Sequence, residues 1–229
     1  MTHRLAVLIS GNGTNLQAII DSIEAGQLPA SIAVVLSNKT NAAGLQRAIR
    51  AGIATITLNK ENYPDRAAFD QAMIAELDRF QPDTVVLAGF MRILSPAFVR
   101  HYSGRLINIH PSLLPLHKGL HTHLRAIEAA DLEHGCTVHF VSDELDGGPI
   151  IARARVPVLA NDNEETLSKR VQAREYELYP RVLEWRATGR LTLDPRGVQL
   201  DGQPIPAEGF DLDQLPAGLT TTPADPRRS

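Results

Sequence analysis

A single cysteine, Cys136, stands among 229 residues, so no intrachain disulfide can form and a thiolate-held metal cluster is excluded. It lies in the alternating apolar segment 135–141 and reads as a small buried core residue rather than a nucleophile. No apolar stretch reaches transmembrane length. The first one, residues 5–9, is too short for a secretory signal and ends in a glycine turn. Neither sign of charge is in excess: 23 basic and 26 acidic residues, well mixed, leave a formal net charge of −3. That balance argues against general binding to nucleic acid or to an anionic membrane, so an anionic ligand needs a local site. Internal repeats and a linker between independent cores are also missing. The expectation is a soluble, cytoplasmic protein whose 43% hydrophobic content supports one α/β domain with a sizeable core.

The apolar runs that are present alternate with helical patterns. Residues 5–9 are apolar throughout, as expected of a strand covered on both faces, and 32–36, 54–58, 84–88 and 106–109 follow. Helical stretches separate most of them, notably 65–80, where Phe69, Met73, Ile74 and Leu77 form one stripe. Strand alternating with helix predicts a three-layer α/β fold around a mostly parallel, twisted sheet with right-handed crossovers. After residue 135 the rhythm changes. Segments 136–142 and 150–158 read as strands joined by the turn Asp146-Gly147-Gly148-Pro149, an antiparallel C-terminal addition to the sheet. A long helix is predicted over about 163–185, with Glu164 and Glu165 in its first turn and Gly189 just past its end. Prolines, glycines and charges dominate from residue 194 onward, so 195–229 is expected to be a partly disordered tail, above all 215–229.

Asn108 and His110 sit two apart at the end of a predicted strand and share one side of the sheet. Packing alone does not place them there, because an unpaired buried polar group costs about 1–3 kcal/mol. Asp146, followed by Gly147 and Gly148, lies at a later strand-to-strand junction. Together they can donate a hydrogen bond, transfer a proton and tune the proton donor, which points to acyl transfer rather than redox chemistry. The loop Gly11-Asn12-Gly13-Thr14-Asn15 joins a strand to a helix marked by Leu16, Ile19, Ile20 and Ile23. Such a loop suits phosphate, since glycines let the backbone approach and free N–H groups face the anion. A P-loop would need Gly-Lys-Ser/Thr, which is absent. A dinucleotide fold would want a third glycine where Leu16 stands, and an acid where the chain has Ser37-Asn38-Lys39. A single phosphate on a small substrate fits better.

Five motifs, 10–20 (SGNGTNLQAII), 87–94 (LAGFMRIL), 108–115 (NIHPSLLP), 119–123 (GLHTH) and 143–148 (DELDGG), occur in unbroken order. In these the chain resembles the phosphoribosylglycinamide formyltransferases, the folate-dependent family of purine synthesis, from about residue 4 to residue 190. The resemblance implies a Rossmann-like formyltransferase domain over 1–194, with a phosphate-binding part about 1–100 and a folate and catalytic part about 101–194. It implies transfer of the formyl group of 10-formyltetrahydrofolate, a co-substrate, to the amine of 5'-phosphoribosylglycinamide. No metal is required, and the partners are small-molecule substrates of a monomer or homodimer. Residue by residue, it assigns Gly13, Thr14 and Asn15 to the substrate phosphate and Glu175 to the ribonucleotide. Folate falls to Arg66, Met91, Arg92, Ile93, Leu94, Asn108 and the loop Ser142, Asp143, Glu144, Leu145, Asp146. Catalysis falls to Asn108, His110 and Asp146. Without the motif context Arg66 and Arg92 are solvated charges, Glu144 a surface acid, Asp143 a turn former and Glu175 part of a solvated helix face.

In the implied chemistry, Asn108 donates to the oxyanion of a tetrahedral intermediate, a contact typically worth about 10²–10³ in rate. His110 stabilises that oxyanion as imidazolium and passes a proton to the departing folate nitrogen, with Asp146 favouring the charged ring. Two departures stand out: Lys118 where the family usually has proline, and Leu124 in place of a common arginine. They leave the segment Leu116-His117-Lys118 and its substrate contacts open. Lysine before the glycine also occurs in formyltetrahydrofolate hydrolases, so the alternative is a hydrolase or another folate-dependent formyltransferase. His121 and His123 are expected to shape the active-site loop without a metal. His3, His101 and His134 read as surface residues, and His139 is ambiguous between core and site.

Overall fold

The computed structural model describes residues 2–215. Strand β1 (His3–Ile9) is apolar on both faces because both are covered: Leu5, Val7 and Ile9 enter one core, Ala6 and Leu8 the other. From its end the chain passes through α1 (Thr14–Glu24), β2 (Ala30–Ser37), α2 (Ala43–Arg50) and the edge strand β3 (Thr55–Thr57). Helix α3 (Arg66–Asp78) carries it to the other side of β1, where β4 (Thr84–Leu87), α4 (Pro96–His101) and β5 (Leu106–His110) follow. Then come α5 (Thr122–Glu128), β6 (Glu133–Phe140), β7 (Ile150–Pro157) and α6 (Glu164–Ala187). The described chain closes with β8 (Leu191–Asp194), β9 (Gly197–Leu200), β10 (Gln203–Pro204) and β11 (Phe210–Asp211).

The main sheet has the order β11-β7-β6-β5-β4-β1-β2-β3. Strands β1 to β5 are mutually parallel, while β6 runs antiparallel to both β5 and β7, the antiparallel addition the sequence predicts. Strand order reverses between β1 and β4, which opens a crevice beyond their C-terminal ends. Three layers result. Helices α1, α2 and α6 cover one face through Leu16, Ile19, Leu45, Leu178 and Leu183. Helices α3 and α4 cover the other through Phe69, Met73, Leu77, Phe98 and Tyr102.

Helix α6 begins at a capping box, with Asn163 Oδ1 accepting from Thr166 N–H at 2.9 Å and Thr166 Oγ1 accepting from Asn163 N–H at 3.0 Å. Its buried Tyr179 hydroxyl lies 3.0 Å from the carbonyls of both Leu87 and Ile107, tying the helix to the adjacent strands β4 and β5. No described helix is long and apolar enough to cross a membrane.

Residues 195–214, expected in a tail, are instead structured. Strands β8, β9 and β10 form a separate antiparallel sheet whose Leu191, Val198 and Leu200 join the core beside α6. Strand β11 adds in parallel to β7, with Phe210 opposite Ala152, and Arg155 Nε donates to Asp211 at 2.7 Å. A boundary after residue 194 therefore falls inside the β8–β9 hairpin. The rest of the expected tail, 216–229, lies outside the described residues.

Candidate active site

Strand β5 delivers Asn108 and His110 to the C-terminal edge of the sheet, opposite His139 and Thr137 of β6. His139, buried and left ambiguous by the sequence, fixes the orientation of Asn108. Its Nδ1 lies 2.9 Å from the Phe140 carbonyl, which can only accept, so Nδ1 carries the proton and Nε2 keeps its lone pair. Burial lowers the His139 pKa and keeps the ring neutral at physiological pH. The lone pair on Nε2 then accepts from Asn108 Nδ2 at 3.2 Å, leaving the second amide hydrogen free to serve the site.

Asp146 arrives from the loop between β6 and β7. It adopts a left-handed conformation, φ 47°, and its Oδ2 lies 3.5 Å from His110 Nδ1. The same oxygen accepts from the Gly119 N–H at 2.9 Å. His110 Nε2 lies 3.0 Å from the His117 carbonyl. Both ring nitrogens thus face oxygens that only accept. Gly148 is obligatory here, since a Cβ would stand 1.9 Å from the Phe140 carbonyl oxygen. The structure therefore links His110 and Asp146 through backbone groups of segment 117–119 and holds Asn108 beside them through His139.

That segment is braced on all sides. His117 Nε2 reaches Asp131 Oδ2 at 2.6 Å, and Arg125 Nη1 donates to the Lys118 carbonyl at 2.7 Å. Lys118 Nζ meets Glu144 Oε1 at 2.6 Å, so Glu144 links the two loops rather than standing free. Expected at the surface, His134 is only 1% exposed and hydrogen-bonds His123 Nδ1 through its Nε2 at 3.1 Å. Both faces of β6 are covered, and burial pushes the His134 pKa down to about 4 and lowers that of His123. His3 is also drawn inward, to Thr84 Oγ1 at 2.9 Å, whereas His101 stays exposed beside Asp78.

The glycine loop lies beyond the end of β1. Gly13 has φ 67° and caps α1, and a Cβ there would stand 2.6 Å from Gly44 Cα. Packing against α2 and the positive φ demand glycine at 13 before any anion is considered. Asn15 Nδ2 donates to Glu175 Oε2 at 2.9 Å. Far from lying on a solvated face, Glu175 is 6% exposed, and desolvation raises its pKa to about 7. The cause is α1, which packs across α6 and covers it.

The loop after β4 is held to the glycine loop, because Met91 N–H donates to Ser10 Oγ at 2.8 Å and Ser10 N–H to the Gly89 carbonyl at 3.1 Å. Met91 and Ile93 are 68% and 59% exposed. Leu94 is half-buried, and the Arg92 guanidinium lies 4.4 Å from the Phe69 ring centroid. Asp70, which the sequence does not single out, is buried and accepts from Ser95 N–H at 2.6 Å, anchoring the far end of this loop. Ser142 Oγ donates to the Glu144 carbonyl at 3.3 Å, Asp143 faces Arg100 at 3.8 Å, and Leu145 is exposed. Arg66 is exposed in the first turn of α3, and no described contact joins it to this cluster.

A doubly covered α/β sheet with this polar cluster at the crevice defines a class, and the comparisons with known proteins name it. Residues 3–183 match the formyl transferase family, and the chain belongs to that family. It is 55% identical over 210 residues to the phosphoribosylglycinamide formyltransferase of Escherichia coli, covering 92% of this chain and 99% of the relative. Identity to the Haemophilus influenzae enzyme of the same name is 46% over 207 residues, covering 90% and 98%. A solved phosphoribosylglycinamide formyltransferase from Coxiella burnetii superposes with a TM-score of 0.89 at 49% identity, covering 92% of this chain and 99% of that one.

Proposed function

We propose that this protein transfers the formyl group of 10-formyltetrahydrofolate to the amine of 5'-phosphoribosylglycinamide. The observation that carries the site assignment is the convergence of Asn108, His110 and Asp146 from two separate segments onto one edge of the crevice. In this reading the substrate amine attacks the formyl carbon and an oxyanion develops. Asn108, oriented by His139, donates its free amide hydrogen to that oxygen. His110 as imidazolium stabilises the same charge and hands a proton to the folate nitrogen as its bond to the formyl carbon breaks; the proton lost by the attacking amine restores the imidazolium, and Asp146 balances the charged ring. For His110 Nε2 to serve the reaction, the His117 carbonyl now 3.0 Å away has to yield its place.

The phosphate is assigned to the N–H groups of Gly13, Thr14 and Asn15, and the ribonucleotide to Glu175, which accepts from Asn15. Folate is assigned to Arg66, to Met91, Arg92, Ile93 and Leu94, and to Ser142 through Asp146 together with Asn108. Lys118, the residue shared with the hydrolases, is engaged by Glu144 in the structure. The test is tetrahydrofolate release with and without phosphoribosylglycinamide. Release that requires the amine supports transfer, and equal release without it overturns transfer in favour of hydrolysis.

A further inference from the structure

Helix α2 lies 35 residues downstream of the glycine loop in Arg47–Asn12 terms, yet it holds two consecutive carbonyls of that loop. Gly44 N–H donates to the Gly11 carbonyl at 3.0 Å, and Arg47 Nε donates to the Asn12 carbonyl at 2.8 Å. Arg47 Nη1 also reaches Gln17 Oε1 at 3.2 Å, and Gln17 is itself oriented by donating from Nε2 to Asp21 Oδ1 at 2.8 Å. The guanidinium therefore spans the loop and the first turn of α1 as one rigid fork.

The consequence follows from peptide geometry. Leu114–Pro115 is the only cis bond among the described residues, so the Asn12–Gly13 peptide is trans. In a trans peptide the C=O and the following N–H point in opposite directions. Capturing the Asn12 carbonyl on the α2 side turns the Gly13 N–H the other way, and capturing the Gly11 carbonyl does the same for Asn12 N–H. Among the described residues nothing accepts from Gly13 N–H. The contact with Gly44 that forbids a side chain at Gly13 keeps α2 close enough for the fork to reach.

We propose that Arg47 is a positioning residue for substrate phosphate: it locks the loop peptides so that their N–H groups face the anion, and it places a positive charge against the loop. The inference rests on the phosphate assignment made above. Arg47→Met keeps the length and packing of the side chain and removes the fork. The test compares wild type and variant with phosphoribosylglycinamide and with its dephosphorylated riboside. The expected result is a KM for the ribonucleotide raised about tenfold or more, the equivalent of one charge-assisted hydrogen bond. The KM for 10-formyltetrahydrofolate stays within about twofold, and kcat/KM for the riboside is unchanged, which also reports an intact fold. Inorganic phosphate inhibits the variant more weakly than wild type. An unchanged ribonucleotide KM, or equal losses with ribonucleotide and riboside, overturns the role of Arg47. A wild-type enzyme indifferent to the phosphate overturns the phosphate assignment itself and the inference with it.

Discussion

Glu175→Gln gives a quantitative test of the buried carboxyl. Its pKa stands at 4.5 in the unfolded chain and is raised to about 7 in the fold by desolvation. Between those values the unfolded chain has lost the proton while the folded protein retains it, so the folded state binds more protons and stability falls as pH rises. Below 4.5 both states are protonated and the carboxyl is neutral in its effect. Above about 7 the penalty is complete and, at about 1.4 kcal/mol per pH unit, of order 3 kcal/mol. Glutamine mimics the protonated acid and can still accept from Asn15 Nδ2. The variant should therefore match wild type in urea unfolding at pH 4.5 and exceed it by about 3 kcal/mol at pH 8. In turnover the order reverses, with kcat/KM for the ribonucleotide lowered at pH 8, where the native carboxylate is charged. Unfolding free energies that differ by the same amount at both pH values would refute the desolvated carboxyl.

The other expectations can be checked together. Asn108→Ala and His110→Ala should each lower kcat by about 10²–10³ with little change in melting temperature, since both are proposed to act on the transition state; near-normal turnover in either refutes its role. Asp146→Asn keeps an oxygen for the Gly119 N–H but loses the charge beside His110, so turnover should collapse while the folate KM moves little; equal effects on both would make Asp146 merely a turn residue. Lys118→Ala breaks an ion pair whose Glu144 side chain is 70% exposed, so stability should change by no more than about 1 kcal/mol in chemical denaturation. Gly148→Ala drives a methyl to 1.9 Å from the Phe140 carbonyl and should destabilise the β6–β7 connection by several kcal/mol, at the upper end of single substitutions.

What the sequence makes legible is what one element decides for itself. The period of the apolar runs yields β1, α3 and the antiparallel turn into β7, and the spacing of Asn108 and His110 places both on the edge of β5. What it conceals depends on a second element. Glu175 looks solvated until α1 covers α6, and His134 looks exposed until both faces of β6 are packed. Strands of two and four residues, as in β9 to β11, are too short to show a period, so they read as tail. Gly13 is singled out for phosphate, while the neighbour that requires glycine there is Gly44, in a different helix.

The same distinction explains why the departures from the family pattern fall where they do. Each group of the trio is set by main chain: Asn108 through His139 by the Phe140 carbonyl, His110 by the His117 carbonyl, and Asp146 by the Gly119 N–H. A carbonyl or N–H serves equally well whatever side chain hangs beside it. Lys118 sits between two of these backbone contacts, and its own side chain turns outward to Glu144. The segment can therefore change its side chains without disturbing the three polar groups, provided the left-handed residues His117 and Gly119, at φ 52° and 82°, keep the backbone path. What the contacts constrain in this loop is conformation more than residue identity, which is why a motif comparison registers Lys118 as a disagreement and the geometry does not.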